Sequence, residues 1–363
     1  MFSENLVLLI LMILILIVSS KPMVKGEQLV PCYFIFGDSV VDNGNNNNLT
    51  TTAKANYPPY GIDFPTGVNG RFTNGHNKAD FFAELLGFDS FIPPFVTARG
   101  KEILKGVNYA SGVAGIRDET GYRWGDRWSM NRQLVNHFVT VSRIISILGN
   151  VTSAKGLLSK CLYTVDMGNN DYLNNYLQPQ FYPTSLLYTP DQFATVLVQQ
   201  FSQQLRTLYS YGARKVAVSN IGLLGCLPEE LEVFGRNASG CVDFINNYVQ
   251  LFNDKLKLLI DDLNINLPNA RFIYINQTSI SSGGPSPVGF TVDSSCCITL
   301  DTIAKGQCRK GEVPCNNRNQ YIFFDNFHPT EIANIATARR SFNAFLPSDA
   351  YPTDISQLVQ TKY

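Results

Sequence analysis

Apolar positions along this chain fall into two periods. Short β-prone runs at residues 33–36, 107–110, 162–167, 215–219 and 271–275 each lead into or are flanked by Gly, Ser, Asn or Asp. Between them lie stretches with helical spacing. Residues 77–86 place Phe81, Phe82, Leu85 and Leu86 on one face. Further helices are predicted over 135–148, from Pro190-Asp191 to about Tyr211 with Gly212 as a stop, over 242–263, and over 330–342. Strands that alternate with helices predict an α/β fold, a parallel sheet covered on both faces. Ligands in such open sheets bind at the carboxyl ends of the strands. Polar clusters stand at those ends: Gly37-Asp38-Ser39 after the first run, Ser111-Gly112 after the second, Gly168-Asn169-Asn170-Asp171 after the third.

One segment breaks the pattern. Residues 6–18 are unbroken apolar, followed by Ser19-Ser20. That run falls short of the ~20 residues of a membrane span and fits the core of a secretory signal peptide. The stretch before it carries Glu4 and no Lys or Arg, a departure from the usual pattern. We read residues 1–26 as signal peptide, with cleavage between Ser20 and Gly26, and residues 27–363 as a single domain without a stable membrane span. Export is the expected destination, to the extracellular space. The eight cysteines fit an oxidising compartment, although eight allow 105 pairings and sequence alone does not choose among them. No C-x-x-C pair and no His lies in the cluster Cys296, Cys297, Cys308 and Cys315, so disulfides are expected rather than a metal. Asn48, Asn150, Asn237 and Asn276 stand in Asn-x-Ser/Thr sites open to glycosylation. Lys+Arg and Asp+Glu both number 29, which argues against nucleic acid as a partner. Hydrophobic residues make up 45% of the chain, enough for a large core.

The chain has three histidines. His137 lies in an apolar helical stretch and reads as structural. His76 follows Asn74-Gly75 and reads as a capping or surface residue. His328 differs, because Asp325 precedes it by three residues and Pro329 follows it. An Asp so placed can fold back on a tight turn, meet Nδ1 and fix the tautomer. Ser39, at a strand-to-loop turn, needs such a base to become a nucleophile. It also needs donors aimed at the oxyanion that forms when it attacks a carbonyl. The Ser39 and Gly112 N–H groups and the Asn170 side-chain amide stand at three strand ends and could supply them.

These blocks resemble the plant-type secreted branch of the GDSL, or SGNH, esterase/lipase family. The resemblance runs from about Tyr33 to Phe345. It rests on Phe36-Gly37-Asp38-Ser39 with Asp42-Asn43-Gly44-Asn45-Asn46, on Asn108-Tyr109-Ala110-Ser111-Gly112, on Gly168-Asn169-Asn170-Asp171, and on Asp325 to Pro329. It implies a three-layer α/β/α, flavodoxin-like fold with five parallel strands ordered 2-1-3-4-5. It implies Ser39 as nucleophile, His328 as base and Asp325 as its partner, with Ser39, Gly112 and Asn170 as the oxyanion donors. It also implies an ester substrate, small or part of a lipid or polymer, and no metal or organic cofactor. Val113 stands where many relatives carry a second Gly. In the implied strand order Cys32 and Cys161 begin neighbouring strands, where a disulfide and a pair of buried thiols both fit. Cys226 with Cys241 would close a short loop, and the last four cysteines would pair among themselves. Val41 stands where an α/β-hydrolase nucleophile elbow would need Gly, so a flatter site is expected. An acyltransferase using the same acyl-enzyme, and an inactive secreted binding protein, are the alternatives. The apolar loops 57–64 and 91–96 either line an acyl pocket or pack beneath a lid.

Overall fold

The computed structural model describes residues 28–235, 240–282, 289–301 and 304–361. Residues 1–26, expected to be a signal peptide, and Asn237 lie outside the described residues. Strand β1 (Tyr33–Gly37) is buried along its whole length. Helix α1 (Lys78–Leu85) follows, started by Asn77, whose side chain accepts the Asp80 N–H while Asp80 accepts the Asn77 N–H. That reciprocal cap satisfies two N–H groups the helix itself cannot. Then come α2 (Met130–Leu148), α3 (Val151–Leu158), β2 (Leu162–Asp166) and α4 (Pro190–Ser210). Thr189 caps α4 and Pro190 opens its first turn, where the missing N–H costs nothing. After β3 (Lys215–Ser219) come the short α5 (Pro228–Phe234), the long α6 (Asp243–Asn266) and β4 (Arg271–Ile275). Next is a two-stranded ribbon, β5 (Thr291–Ser295) with β6 (Tyr321–Phe323), and the chain ends in α7 (Glu331–Phe342), β7 (Ala350–Tyr351) and α8 (Ile355–Gln360).

β1, β2, β3 and β4 pair in parallel in that order, and β7 adds an antiparallel edge beyond β4. Side chains alternate along each strand, so each supplies both faces. Phe34, Phe36, Tyr163, Val165, Val216, Val218 and Phe272 face α2, α3, α4 and α6. Tyr33, Ile35, Leu162, Ala217, Ile273 and Ile275 face α1, α7 and α8. These are the three layers of an SGNH-type α/β fold.

The sheet differs from the expected five parallel strands at one edge. Residues 107–110 do lie alongside β1 in parallel: the Ile35 N–H donates to Val107 O and the Tyr109 N–H to Ile35 O. They form no strand of their own, only isolated parallel bridges from Asn108 to Ile35 on one side and to Pro94 on the other. The cause is Asn108, whose Oδ1 takes the Ala110 N–H and whose Nδ2 donates to Val41 O, turning the backbone out of the ladder. Gly106 makes the approach possible. Its φ is 126°, and a Cβ there would fall 1.9 Å from Tyr33 O.

All eight cysteines are paired: Cys32–Cys161, Cys226–Cys241, Cys296–Cys315 and Cys297–Cys308. The first joins the starts of β1 and β2, which resolves the choice between a disulfide and buried thiols. Among the described residues no helix is long and apolar enough to cross a membrane.

Candidate active site

The carboxyl end of β1 is clamped by a buried glutamine. The Gly37 N–H donates to Gln133 Oε1 at 3.0 Å, and Gln133 Nε2 donates back to Gly37 O at 2.8 Å. A side chain thus continues the ladder where no strand does. A Cβ at Gly37 would sit 2.5 Å from Val41 Cγ2 and 2.9 Å from Asp166 O, so the turn into Asp38-Ser39 requires glycine. Asp38 folds back to accept the Val40 N–H at 3.0 Å and the Asn169 amide at 2.9 Å. Burial raises its carboxyl above the ordinary value, against the pull of those bonds.

Ser39, left 8% exposed, receives His328 from the other end of the chain. His328 Nε2 lies 2.7 Å from Ser39 Oγ, and Nδ1 lies 2.8 Å from both oxygens of Asp325. Asp325 Oδ1 also accepts the Phe327 and His328 N–H groups, at 2.9 and 2.8 Å. The 325–328 turn is therefore wound around the carboxylate, as the three-residue spacing predicts. With Nδ1–H held by Asp325, Nε2 is the free lone pair that faces the serine hydroxyl. Phe72 lies against the imidazole, ring centroids 4.9 Å apart.

The predicted oxyanion donors surround this serine and differ in how free they are. The Ser39 N–H donates to no acceptor among the described residues. Asn170 Nδ2 donates to Ala114 O at 3.0 Å and to Asp38 Oδ2 at a long 3.4 Å. The Gly112 N–H donates to Asp42 Oδ2 at 3.1 Å, so a ligand would have to share it with that carboxylate. A Cβ at Gly112 would lie 2.6 Å from Asn46 Nδ2 and 3.0 Å from the Phe72 ring, which explains the glycine. Val113, the departure from the family pattern, has a φ of 57° in the left-handed region, where glycine is the unstrained choice.

Sequence reasoning missed four supporting residues. Gln133 and Tyr60 carry no local signal. Tyr60 is fully buried and donates to Asp325 Oδ2 at 2.5 Å. Loop 57–64 therefore buttresses the site rather than lining a pocket, and Phe64 packs with Phe91 against His76. Asn174 donates to Asn170 Oδ1 at 2.7 Å from a π-helical turn (Tyr172–Tyr176), and Trp124 Nε1 donates to Asn174 Oδ1 at 2.7 Å. Asp42 was legible in part, because an Asp two residues before a Gly marks an Asx turn. Its Oδ1 accepts the Gly44 and Asn45 N–H groups, both at 2.7 Å. The other histidines stand apart from Ser39. His137 is buried against Phe34 and Phe36, and burial pushes its pKa down to about 3. His76 pairs with Glu331 at the start of α7, which raises its pKa.

Asn48 and Asn150 are exposed. The Asn150 side chain caps α3, and Asn276 is half-buried with its Oδ1 accepting from Asn220 and Ser279.

A cavity of about 540 Å³ opens one residue removed from this site, lined by none of Ser39, Gly112, Asn170, Asp325 or His328 themselves. Its wall includes Asn174, bonded to Asn170, and Phe327, the neighbour of His328.

A doubly covered, mainly parallel sheet with a Ser–His–Asp hydrogen-bonded chain beyond its strand ends defines an α/β protein of the SGNH hydrolase type. The chain belongs to the GDSL-like lipase/acylhydrolase family, whose profile matches residues 33–341. It is 50% identical over 340 residues to a GDSL esterase/lipase of Arabidopsis thaliana, covering 93% of each chain. Two further GDSL esterase/lipases of that plant are 47% identical over 354 residues and 46% over 355, covering 96% and 97% of this chain and 98% of each relative. The protein is accordingly a carboxylic ester hydrolase, and esters are its substrates.

Proposed function

We propose that this protein is a secreted serine esterase that works through an acyl-enzyme on Ser39. The observation that carries the reading is the 2.7 Å contact between His328 Nε2 and Ser39 Oγ, with Nδ1 on Asp325. Ser39 Oγ attacks the acyl carbonyl and passes its proton to His328 Nε2. The imidazolium is stabilised by Asp325. The oxyanion is held by the Ser39 N–H, the Asn170 amide and the Gly112 N–H, the last shared with Asp42. When the intermediate collapses, His328 gives its proton to the leaving alcohol, and the acyl group stays on Ser39. Water then attacks the acyl carbonyl and gives a proton to His328. That proton returns to Ser39 as the acid departs. Every proton is accounted for within the three residues, so no cofactor enters the scheme.

Secretion is supported by the apolar leader at residues 6–18 and by four disulfides, which persist in oxidising compartments. Asn48 and Asn150, exposed on the surface, are the sites best placed to carry glycan.

The test is hydrolysis of p-nitrophenyl esters from acetate to palmitate by wild type and Ser39→Ala, with a fluorophosphonate label in parallel. Ser39→Ala should lose more than about a thousandfold in kcat and all labelling while keeping its circular dichroism spectrum. Retention of either activity or label in that variant overturns the mechanism.

A further inference from the structure

The cavity that Asn174 and Phe327 line has an unusual wall. Trp124, Leu173 and Phe327 give it apolar faces, while Glu229, Glu230 and Lys305 bring charge into it. Two of those charges already have partners. Glu229 Oε1 pairs with Lys305 Nζ at 2.8 Å, and its Oε2 accepts Asn326 Nδ2 at 2.9 Å. Glu230 is different. It is 6% exposed, lines the cavity, and accepts no hydrogen bond from any described residue. A buried carboxylate without donors is costly. Burial first, and then the neighbouring Glu229, push its pKa up to about 7. Folds retain such a group when something else supplies the donors.

We infer that this cavity is the subsite for a hydroxyl-rich alcohol portion of the ester, a sugar or polyol, and that Glu230 is its specificity-determining residue. The inference rests on the serine esterase reading and deepens it. Three features select this class. Hydroxyls donate to Glu230 and accept from Lys305 and Gln178 in the same cavity. The rings of Trp124 and Phe327 offer flat apolar surfaces to the C–H faces of a sugar ring. An aliphatic chain in the same place would leave Glu230 without a donor. A cationic alcohol would meet Lys305, which already pairs with Glu229, and Arg123 in the same wall. The cavity is assigned to the alcohol side because Phe327, the chain neighbour of His328, lines it, and His328 protonates the leaving oxygen.

The test has two arms. The first titrates Ser39→Ala protein with methyl β-xyloside and with cyclohexanol and follows indole fluorescence, since Trp124 lines the cavity. Saturable binding of the xyloside, weakened at least about tenfold by adding Glu230→Leu and partly restored by Glu230→Gln, is expected. Tighter binding of cyclohexanol, no saturable response to xyloside up to about 0.1 M, or indifference to Glu230→Leu overturns the proposal. The second arm compares kcat/KM for a monoacetylated methyl xyloside and for cyclohexyl acetate, which share the acyl group. Glu230→Leu should lower the ratio of the two about tenfold in favour of cyclohexyl acetate, with Glu230→Gln between it and wild type. An unchanged ratio overturns the subsite. Failure of the esterase reading shows separately, as an unlabelled Ser39 and no turnover of either ester, while the binding arm still decides the subsite.

Discussion

Tyr60 Oη donates to Asp325 Oδ2 at 2.5 Å and itself accepts the Cys308 N–H at 3.1 Å. The residue that orients His328 is thus itself oriented from a segment tied by Cys297–Cys308. Tyr60→Phe keeps the ring among Phe72, Phe324 and Tyr57 but removes both hydrogen bonds. Asp325 Oδ2 then keeps only His328 Nδ1, and the Cys308 N–H is left buried without a partner. The loss of a bond to a charged group costs about 1.5–3 kcal/mol. Tyr60→Phe is expected to lower kcat about tenfold or more, with a smaller change in KM, and to lower Tm. Steady-state kinetics beside a thermal melt check this, and full activity would show that Asp325 needs no second support.

Asn174 should matter for a related reason. Because it donates to Asn170 Oδ1, Asn170 has to turn Nδ2 toward Ala114 O and Asp38, the direction of the serine. Asn174→Leu frees the amide to flip. A full oxyanion donor is worth about 10²–10³ in kcat. Asn174→Leu is expected to lose about tenfold in kcat at nearly unchanged KM. Combined with Asn170→Ala it should add little, since both changes remove the same donor. Additive losses in the double mutant would mean that Asn174 acts elsewhere.

Asp42 gathers the Gly44 and Asn45 N–H groups on Oδ1 and the Gly112 N–H on Oδ2. Asp42→Asn presents either its oxygen or its amide to each set, so one N–H must face a donor. Leaving a buried donor unmatched costs about 1–3 kcal/mol. The variant should be less stable by that amount in a urea melt and should hydrolyse esters more slowly, because Gly112 would shift. If Asp42→Asn instead raised kcat, Asp42 would be competing with the oxyanion for the Gly112 N–H rather than holding it in place.

The fold and the clustering of Ser39, His328 and Asp325 were legible because both follow from local rules. The strands at 33–36, 162–167, 215–219 and 271–275 are fully buried or nearly so, and continuous apolar runs announce that condition. The Asp325–His328 turn announces itself by spacing. What stayed hidden is what depends on long-range contact. The strand at 107–110 shrinks to a bridge because of one asparagine side chain. Tyr60 meets Asp325 across 265 positions of sequence, and Gln133 meets Gly37 across 96, with no pattern to mark either. Glu230 reads as an ordinary acidic residue in the first turn of a helix, and only the fold buries it.

Glu230 also makes a prediction about stability that does not depend on any substrate. Its pKa rises from 4.5 to about 7 on folding, through burial and the neighbouring Glu229. The charged groups that act on it are Glu229 on its own helix, which raises its pKa, and Lys305 from the segment opposite, which lowers it; Arg123 lines the same cavity. A raised carboxyl pKa means that the folded state holds the proton more tightly than the unfolded one. That preference contributes stability in full below pH 4.5 and is lost as the pH rises through about 7. With water in the cavity screening the charge, the loss should be about 1–2 kcal/mol rather than the ~3 that the full shift implies. Glu230→Gln carries no charge at any pH and escapes this loss. It should match wild type at pH 4.5 and melt about 2–4 °C higher at pH 8, as expected for a domain of this size. The other buried carboxyls with raised pKa values, Asp38, Asp42 and Asp171, are common to both proteins and cancel in the difference. Paired melts at the two pH values decide it. A gain at pH 8 would mean that wild type keeps a destabilising charge facing its cavity, a cost that a hydroxyl-bearing substrate offsets when it binds. A difference independent of pH would mean that Glu230 is already satisfied, and would remove the main reason for assigning that cavity to such a substrate.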